Sequence, residues 1–292
     1  MPLEVGLVGA GPWASMVHAP VLAAGPETTL TAVWARRADA AATLARRHGA
    51  VAVGSVDELF DRSEIVAFAV PPEVQAEIGV RAARAGRAVL LEKPIANDVA
   101  GAERLAGAVG EAGVASLVVL SWRYAEQVRQ LLDQVASFEV TGATGRFLSG
   151  GLLDGPFRTP WRLDRGPLLD LAPHVVDLLD AALGPVTAVR AGGDLGRWVV
   201  LQLDHESGVT STATVSGHVA LDPHRAGVEV CGPSGVLEVD CASAVTADAF
   251  ATLRRELAAA VAGGTGHPLD VHRGLHLQRI LGEAECQLDG AR

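Results

Sequence analysis

From Leu3 to about Leu120, short apolar runs alternate with helix-length Ala/Arg-rich stretches, and this alternation limits the possible fold more than any other feature. The runs are LEVGLVGA, LTAVWA, EIVAFAV, RAVLL and VASLVVL, separated by segments such as RADAAATLARRHGA and EVQAEIGVRAARAGRA. Strands spaced by helices build βαβ units, so the sequence predicts a parallel sheet with helices packed on it. Past Ser121 the texture changes. One helical stretch, AEQVRQLLDQVA, precedes VTAVRAGG, RWVVLQLDHESG, GVTSTATVSG, GVEVCG and GVLEVD. These β-branched runs, divided by Gly, Asp, Ser or Pro, fit an open, mostly antiparallel sheet of hairpins. The expected fold class is α/β followed by α+β, with domains at 1–120 and 121–292.

Composition narrows the function. A chain of 292 residues that is 49% hydrophobic can bury a large core. Its formal net charge of −10, with 24 Lys+Arg spread along it, leaves no basic footprint for nucleic acid. No apolar run approaches the ~20 residues needed to cross a bilayer, and MPLEVGLVGAG carries no basic leader, so a cytoplasmic protein is expected. Cys231, Cys241 and Cys286 have neither the number nor the spacing of a disulfide framework or zinc site, and no metal is expected.

The first apolar run ends in GLVGAGPWA, where Gly9, Gly11 and Ala14 give G-x-G-x-x-A. Such a turn allows a tight bend, close backbone approach to a pyrophosphate, and close helix packing. A glycine-rich turn can be only a turn, but its place after an N-terminal strand, ahead of four more alternating units, points to a Rossmann dinucleotide-binding domain. The second strand then ends in TAVWARR. Ala35 stands where an acid would bind the ribose hydroxyl of NAD, and Arg36 and Arg37 follow. Guanidinium groups suit the 2′-phosphate of NADP. The competing explanation is an arginine pair opening a solvated helix. NADP(H) is favoured over NAD(H).

After RAVLL comes LLEKPIA. If RAVLL is a strand, Glu92 and Lys93 fall beyond its carboxyl end, where ligands bind in open α/β sheets, and Pro94 stops the strand. A surface ion pair is the plainer alternative. The sequence therefore proposes Gly9, Gly11, Pro12, Trp13, Arg36, Arg37, Pro71, Glu92 and Lys93 as the cofactor-binding set.

In the second half, LLDLAPHVVDLLDAALG sets Pro173 in the first turn of a helix, Asp170 near its N-cap, His174 in the first turn and Gly184 as the stop. Asp170 and His174 are four apart, and a carboxylate beside an imidazole fixes its tautomer and supports its protonated form, as a general base requires. Asp177 could support His174 in the same way. An N-cap Asp with a helix-start His is the plainer alternative.

GLVGAGPWA, AVPPEVQAEIGVRAARAGRAVLLEKPIA and GPLLDLAPHVVDLLDAALGPV together resemble the glucose-fructose oxidoreductase and inositol dehydrogenase (Gfo/Idh/MocA) family over nearly the whole chain. The resemblance implies a nicotinamide-dependent oxidoreductase of sugars, polyols and related compounds. It also implies a homo-oligomer, dimer or tetramer, assembled through the C-terminal sheet. Carried over by residue, it makes Lys93, Asp170 and His174 the catalytic set. Lys93 would bind the reacting oxygen while His174 takes its proton, with Asp170 orienting His174. Three departures bear on substrate: the glycines ahead of Asp170 are reduced to Gly166-Pro167, Ala172-Pro173 replaces Gly-Pro, and Gln75 stands where His is common.

Trp161 and Arg162, in PFRTPWRLDRG, are candidates for substrate contact, with a structural loop anchored by a buried Trp as the alternative. Arg123 and Tyr124 read as hinge packing. His18, His267, His272 and His276 lack a carboxylate at ligand spacing and read as ordinary helix or surface residues. A second class of function, a cofactor-binding sensor without turnover, fits the same pocket; retention of Lys93, Asp170 and His174 together argues against it.

Overall fold

A computed structural model describes residues 1–263 and 266–290. The chain forms two compact units: residues 1–119 with 251–276, and residues 120–250 with 277–292.

The first unit is built on six parallel strands, β1 (Leu3–Val8), β2 (Thr28–Trp34), β3 (Val51–Ala52), β4 (Ile65–Phe68), β5 (Ala88–Leu91) and β6 (Ser116–Val118). Their spatial order is β3-β2-β1-β4-β5-β6, the doubly wound order in which the strand sequence reverses between β1 and β4. Every residue of β4 and β5 is buried, which is why IVAF and AVLL read as unbroken apolar runs. A π-helical turn, Ala14–His18, follows β1 and continues into α1 (Ala19–Ala23). The other connections carry α2 (Ala38–Arg47), α3 (Val56–Asp61), α4 (Pro72–Arg84) and α5 (Val99–Ala112). Helix α4 lies close against α5: a Cβ on Gly79 would stand 2.8 Å from Leu105 Cδ1. Helix α5 starts where Asp98 accepts a hydrogen bond from Gly101 N–H at 2.7 Å, and stops at Gly113 with φ 63°.

The second unit holds a 3₁₀ turn (Ser121–Tyr124), α6 (Glu126–Val135), β7 (Gly142–Leu148), α7 (Pro160–Asp170) and α8 (Ala172–Leu183). Strands β8 (Val186–Asp194), β9 (Trp198–His205), β10 (Thr210–Ser216), β11 (Arg225–Gly232) and β12 (Gly235–Asp240) follow. The sheet order is β12-β11-β7-β10-β9-β8, antiparallel throughout except for the parallel pair β7 and β10. The expected hairpins are present. The central strand β7 was not expected from the sequence, because Ala143 and Gly145 on its buried side give no apolar period. They are small because α8 lies on them: a Cβ on Gly145 would meet Val175 Cγ1 at 2.5 Å. The opposite face is exposed at Thr144, Arg146, Gln202 and Thr212. Two long helices, α9 (Ala247–Gly263) and α10 (Val271–Asp289), complete the chain.

Candidate active site

In the first unit, a cavity of about 310 Å³ opens at the carboxyl ends of β1, β2 and β4. Gly9, Gly11, Arg36, Arg37 and Pro71 from the expected cofactor set line it, with Trp34, Ala35 and Val74. Gly9 has φ 125°, and a Cβ there would stand 2.4 Å from Ala69 O, so only glycine fits this turn. A Cβ on Gly11 would meet no atom within 4 Å. The space over Gly11 is therefore open for a ligand to approach its backbone. Arg37 is the N-cap residue of α2 in extended conformation, so both arginines precede that helix and border the cavity. These residues fit a dinucleotide.

The segment after β5 has no regular structure from Glu92 to Asn97, so side chains hold it in place. Gln75, fully buried on α4, accepts a hydrogen bond from Glu92 N–H at 2.8 Å. Its amide nitrogen donates toward the carbonyl oxygens of Glu92, Pro94 and Ile95 at 2.8, 3.2 and 3.1 Å. Gln75 thus satisfies main-chain groups that an irregular buried segment would otherwise leave unpaired. The Lys93–Pro94 peptide is cis.

The Glu92 carboxylate turns back to the first helix. Its Oε1 accepts from Trp13 Nε1 at 2.6 Å and lies 2.7 Å from His18 Nε2; its Oε2 is 3.2 Å from Lys93 N. His18 is therefore not an ordinary helix histidine but a buried partner of a carboxylate 74 positions away in sequence. The π-helical turn accounts for the convergence. Bonding from i to i+5 brings Trp13 and His18 toward one face, their rings edge to face at 6.4 Å. His267 also departs from expectation, with Nε2 3.2 Å from Glu256 Oε2.

In the second unit, Pro173 lies in the first turn of α8, His174 follows it, and Gly184 ends the helix with φ 93°, as the sequence predicts. Asp170 lies one residue ahead of the N-cap, near where the sequence puts it, and what the sequence does not show is that a helix precedes it. It is the last residue of α7, and Leu171 takes the N-cap position without a side-chain bond. PFRTPWRLDRG is thus helical from Pro160, and the break falls at Gly166, with φ 64° and ψ −169°. Only glycine fits there, since φ is positive and a Cβ would clash with Leu195 O.

Trp161 and Arg162 consequently sit on a helix, not a loop, and Trp161 is half-buried. Arg162 Nε donates to Asp170 Oδ1 at 3.0 Å, with its guanidinium 4.8 Å from the Trp161 ring and 5.5 Å from that of Phe157. The structure brings these three candidates together.

His174 is buried, and its ring stacks on Trp122 at 5.2 Å and 28°. Phe147 of β7 packs against Trp122 at 5.4 Å and against His224 at 5.4 Å. Asp177, one turn after His174, is paired with Arg123 Nη1 at 3.2 and 3.3 Å. Arg123 therefore has a defined ionic partner beyond the packing role its position suggests. Burial pushes the Cys241 thiol up to about 12, which leaves it an inert core group. Among the described residues, no His/Cys/Asp/Glu group could hold a metal ion, and no helix is long and apolar enough to cross a membrane.

Comparison with known proteins bears on the family and the fold. Residues 3–120 match the oxidoreductase family profile with an NAD-binding Rossmann fold, and residues 125–238 match the GFO/IDH/MocA C-terminal domain. A dTDP-3,4-didehydro-2,6-dideoxy-alpha-D-glucose 3-reductase of Streptomyces violaceoruber is 30% identical over 272 residues, covering 87% of this chain and 77% of that protein. The Actinomadura kijaniata enzyme of the same name is 32% identical over 188 residues, covering 63% of this chain and 57% of its own length. Among solved structures, GenD2 from gentamicin A biosynthesis in complex with NAD superposes with a TM-score of 0.86 at 24% identity, covering 100% of this chain and 95% of that one. Levoglucosan dehydrogenase with NADH and L-sorbose gives a TM-score of 0.85 at 18% identity, covering 99% and 98%. With both halves of the chain matched in order, the protein belongs to the GFO/IDH/MocA oxidoreductase family.

Proposed function

We propose that this chain moves a hydride between a nicotinamide cofactor and a ring carbon of a hexopyranose, interconverting CH–OH and C=O. One observation carries the reading. Of 24 basic side chains the chain has a single lysine, and it is Lys93, at the carboxyl end of β5 on the segment that Gln75 and Glu92 hold. Arginine serves everywhere else. An ammonium is a compact, rotatable donor suited to one substrate oxygen, which a guanidinium fork is not.

In this reading Lys93 hydrogen-bonds the reacting oxygen and offsets charge developing there. His174 takes the hydroxyl proton as the C–H bond breaks with its electron pair. The bound nicotinamide supplies the two-electron acceptor. The products are a carbonyl, a reduced cofactor and a protonated His174; reduction reverses each step. Asp170 acts on His174 from the end of α7, with Arg162 holding Asp170, and Trp161 contacts substrate. The functional division is 1–120 for the dinucleotide and 121–292 for the substrate.

Carbon 3 is the favoured position, since relatives include 3-reductases, a D-glucoside 3-dehydrogenase and a UDP-N-acetylglucosamine 3-dehydrogenase. NADP(H) is preferred because Arg36 and Arg37 border the cavity and Ala35 offers no acid to a ribose hydroxyl. The open sheet face, with Trp198 and Val200 exposed on β9, favours a homo-oligomer. The test is calorimetric titration with NADPH and NADH, repeated on Arg36→Ala, then turnover of C3-hydroxyl pyranosides with the preferred cofactor. Tighter NADPH binding that weakens about tenfold in the variant is expected. Preference for NADH overturns the role of Arg36, and binding of neither overturns the dehydrogenase reading.

A further inference from the structure

His18, in the buried His18–Glu92–Trp13 cluster that ends one residue from Lys93, has no role in the chemistry proposed above. We propose that His18 is a positioning residue for Lys93, acting through Glu92. The inference rests on Lys93 being the working lysine of that reading.

The argument is one of constraint. Lys93 follows a strand of only four residues and lies in an irregular segment, so its backbone has no ladder to fix it. Gln75 pins the main chain from α4. The Glu92 side chain adds a second grip on the Glu92–Lys93 unit, from the first helix. One oxygen is gripped by Trp13 and His18, at 2.6 and 2.7 Å, while the other lies 3.2 Å from the Lys93 amide nitrogen. A carboxylate with so little access to water needs its donors from protein; removing one leaves an acceptor to seek another partner by turning. His18 is itself buried and stands on the helix that follows the glycine turn. Its ring nitrogen reaches Glu92 from the end of the π-helical turn. Of the other groups packed on the segment, Gln75 is neutral, and α10 meets Ile95 at Gly274, with the titratable Arg273 and His276 one residue before and two after it.

The single lysine makes the test specific. Trinitrobenzenesulfonate labels two amines in this chain, Lys93 and the amino terminus, and the second serves as an internal reference. Lys93 is half-buried, so its labelling rate reads how firmly the segment is held. Labelling at one fixed pH would be followed by mass spectrometry in the wild type, His18→Leu and His18→Gln; glutamine restores an N–H toward Glu92. The expected result is Lys93 labelling about tenfold faster in His18→Leu, and near the wild-type rate in His18→Gln, with the terminal amine unchanged. If His18→Leu fails to fold, Trp13→Phe removes the other donor to the same oxygen and should accelerate labelling in the same direction.

An unchanged Lys93 rate in a folded His18→Leu or Trp13→Phe protein overturns the proposal. So does equal acceleration in His18→Leu and His18→Gln, which would mark a purely space-filling role. Turnover of Lys93→Ala, measured alongside, separates the two claims. If it keeps wild-type turnover while the labelling result holds, Lys93 is positioned but not catalytic. If it loses turnover and the labelling rates do not move, only the positioning role falls.

Discussion

Lys93 and His174 are held by opposite means. Lys93 rides on an irregular segment, and its placement depends on polar side chains converging on main chain and on Glu92 from two helices. His174 stands on a 12-residue helix that fixes its own backbone, and its ring is set by the flat face of Trp122. A segment without regular structure must import hydrogen-bond partners, so it collects buried Gln75, Glu92 and His18. A helix needs none for its backbone, and the nearby carboxylates Asp170 and Asp177 are free to match the arginines Arg162 and Arg123. The lysine segment should therefore be sensitive to changes that alter donors while keeping volume. The histidine helix should be sensitive to lost packing and to unmatched charge.

The largest effect expected is on turnover. His174→Ala should lower kcat by about 10²- to 10⁴-fold while calorimetry shows cofactor binding unchanged, since the helix backbone survives the loss of one ring. Next comes unmatched charge. Asp177→Ala strands Arg123 in a mostly buried place and should cost about 3–5 kcal/mol in denaturant unfolding, whereas Asp177→Leu combined with Arg123→Met should recover most of it. On the lysine side, Gln75→Leu keeps the volume but removes every main-chain bond Gln75 makes, and a loss of about 2–3 kcal/mol is expected.

The smallest effect is one of pH. The Cys241 thiol, raised from 9.0 to about 12, keeps its proton in the folded chain where the unfolded chain releases it. Its contribution is therefore complete below pH 9 and is lost as pH rises toward 12. Melting curves across that window should fall less steeply for Cys241→Ala than for the wild type.

How much of this could be read from the sequence follows the same division. The strands buried on both faces announce themselves as apolar runs, and Gly9 is dictated by local geometry, so five strands of the first sheet and its turn were legible; the two-residue edge strand β3, exposed at both residues, gives no such run. So were Pro173, His174 and Gly184, because helix starts and stops are local signals. Strand β7 was hidden by Ala143 and Gly145, small because of a helix that comes later in the chain. Helix α7 ahead of Asp170 was hidden, because Gly166 and Pro167 interrupt any helical signal in that stretch. The pairings His18–Glu92 and Arg123–Asp177 join residues 74 and 54 positions apart, beyond the reach of any spacing rule. A faint signal existed for the first: Trp13 and His18 stand five apart on a helix, a period that only a π-helical turn brings to one face.

The most direct test of the central claim is Lys93→Ala, with NADPH titration and turnover of a C3-hydroxyl pyranoside measured on the same preparation. The account predicts that cofactor binding survives while kcat falls by about 10²- to 10³-fold, the loss that follows removal of a donor from a developing charge. Turnover at the wild-type rate in that variant, with the cofactor bound, would contradict it.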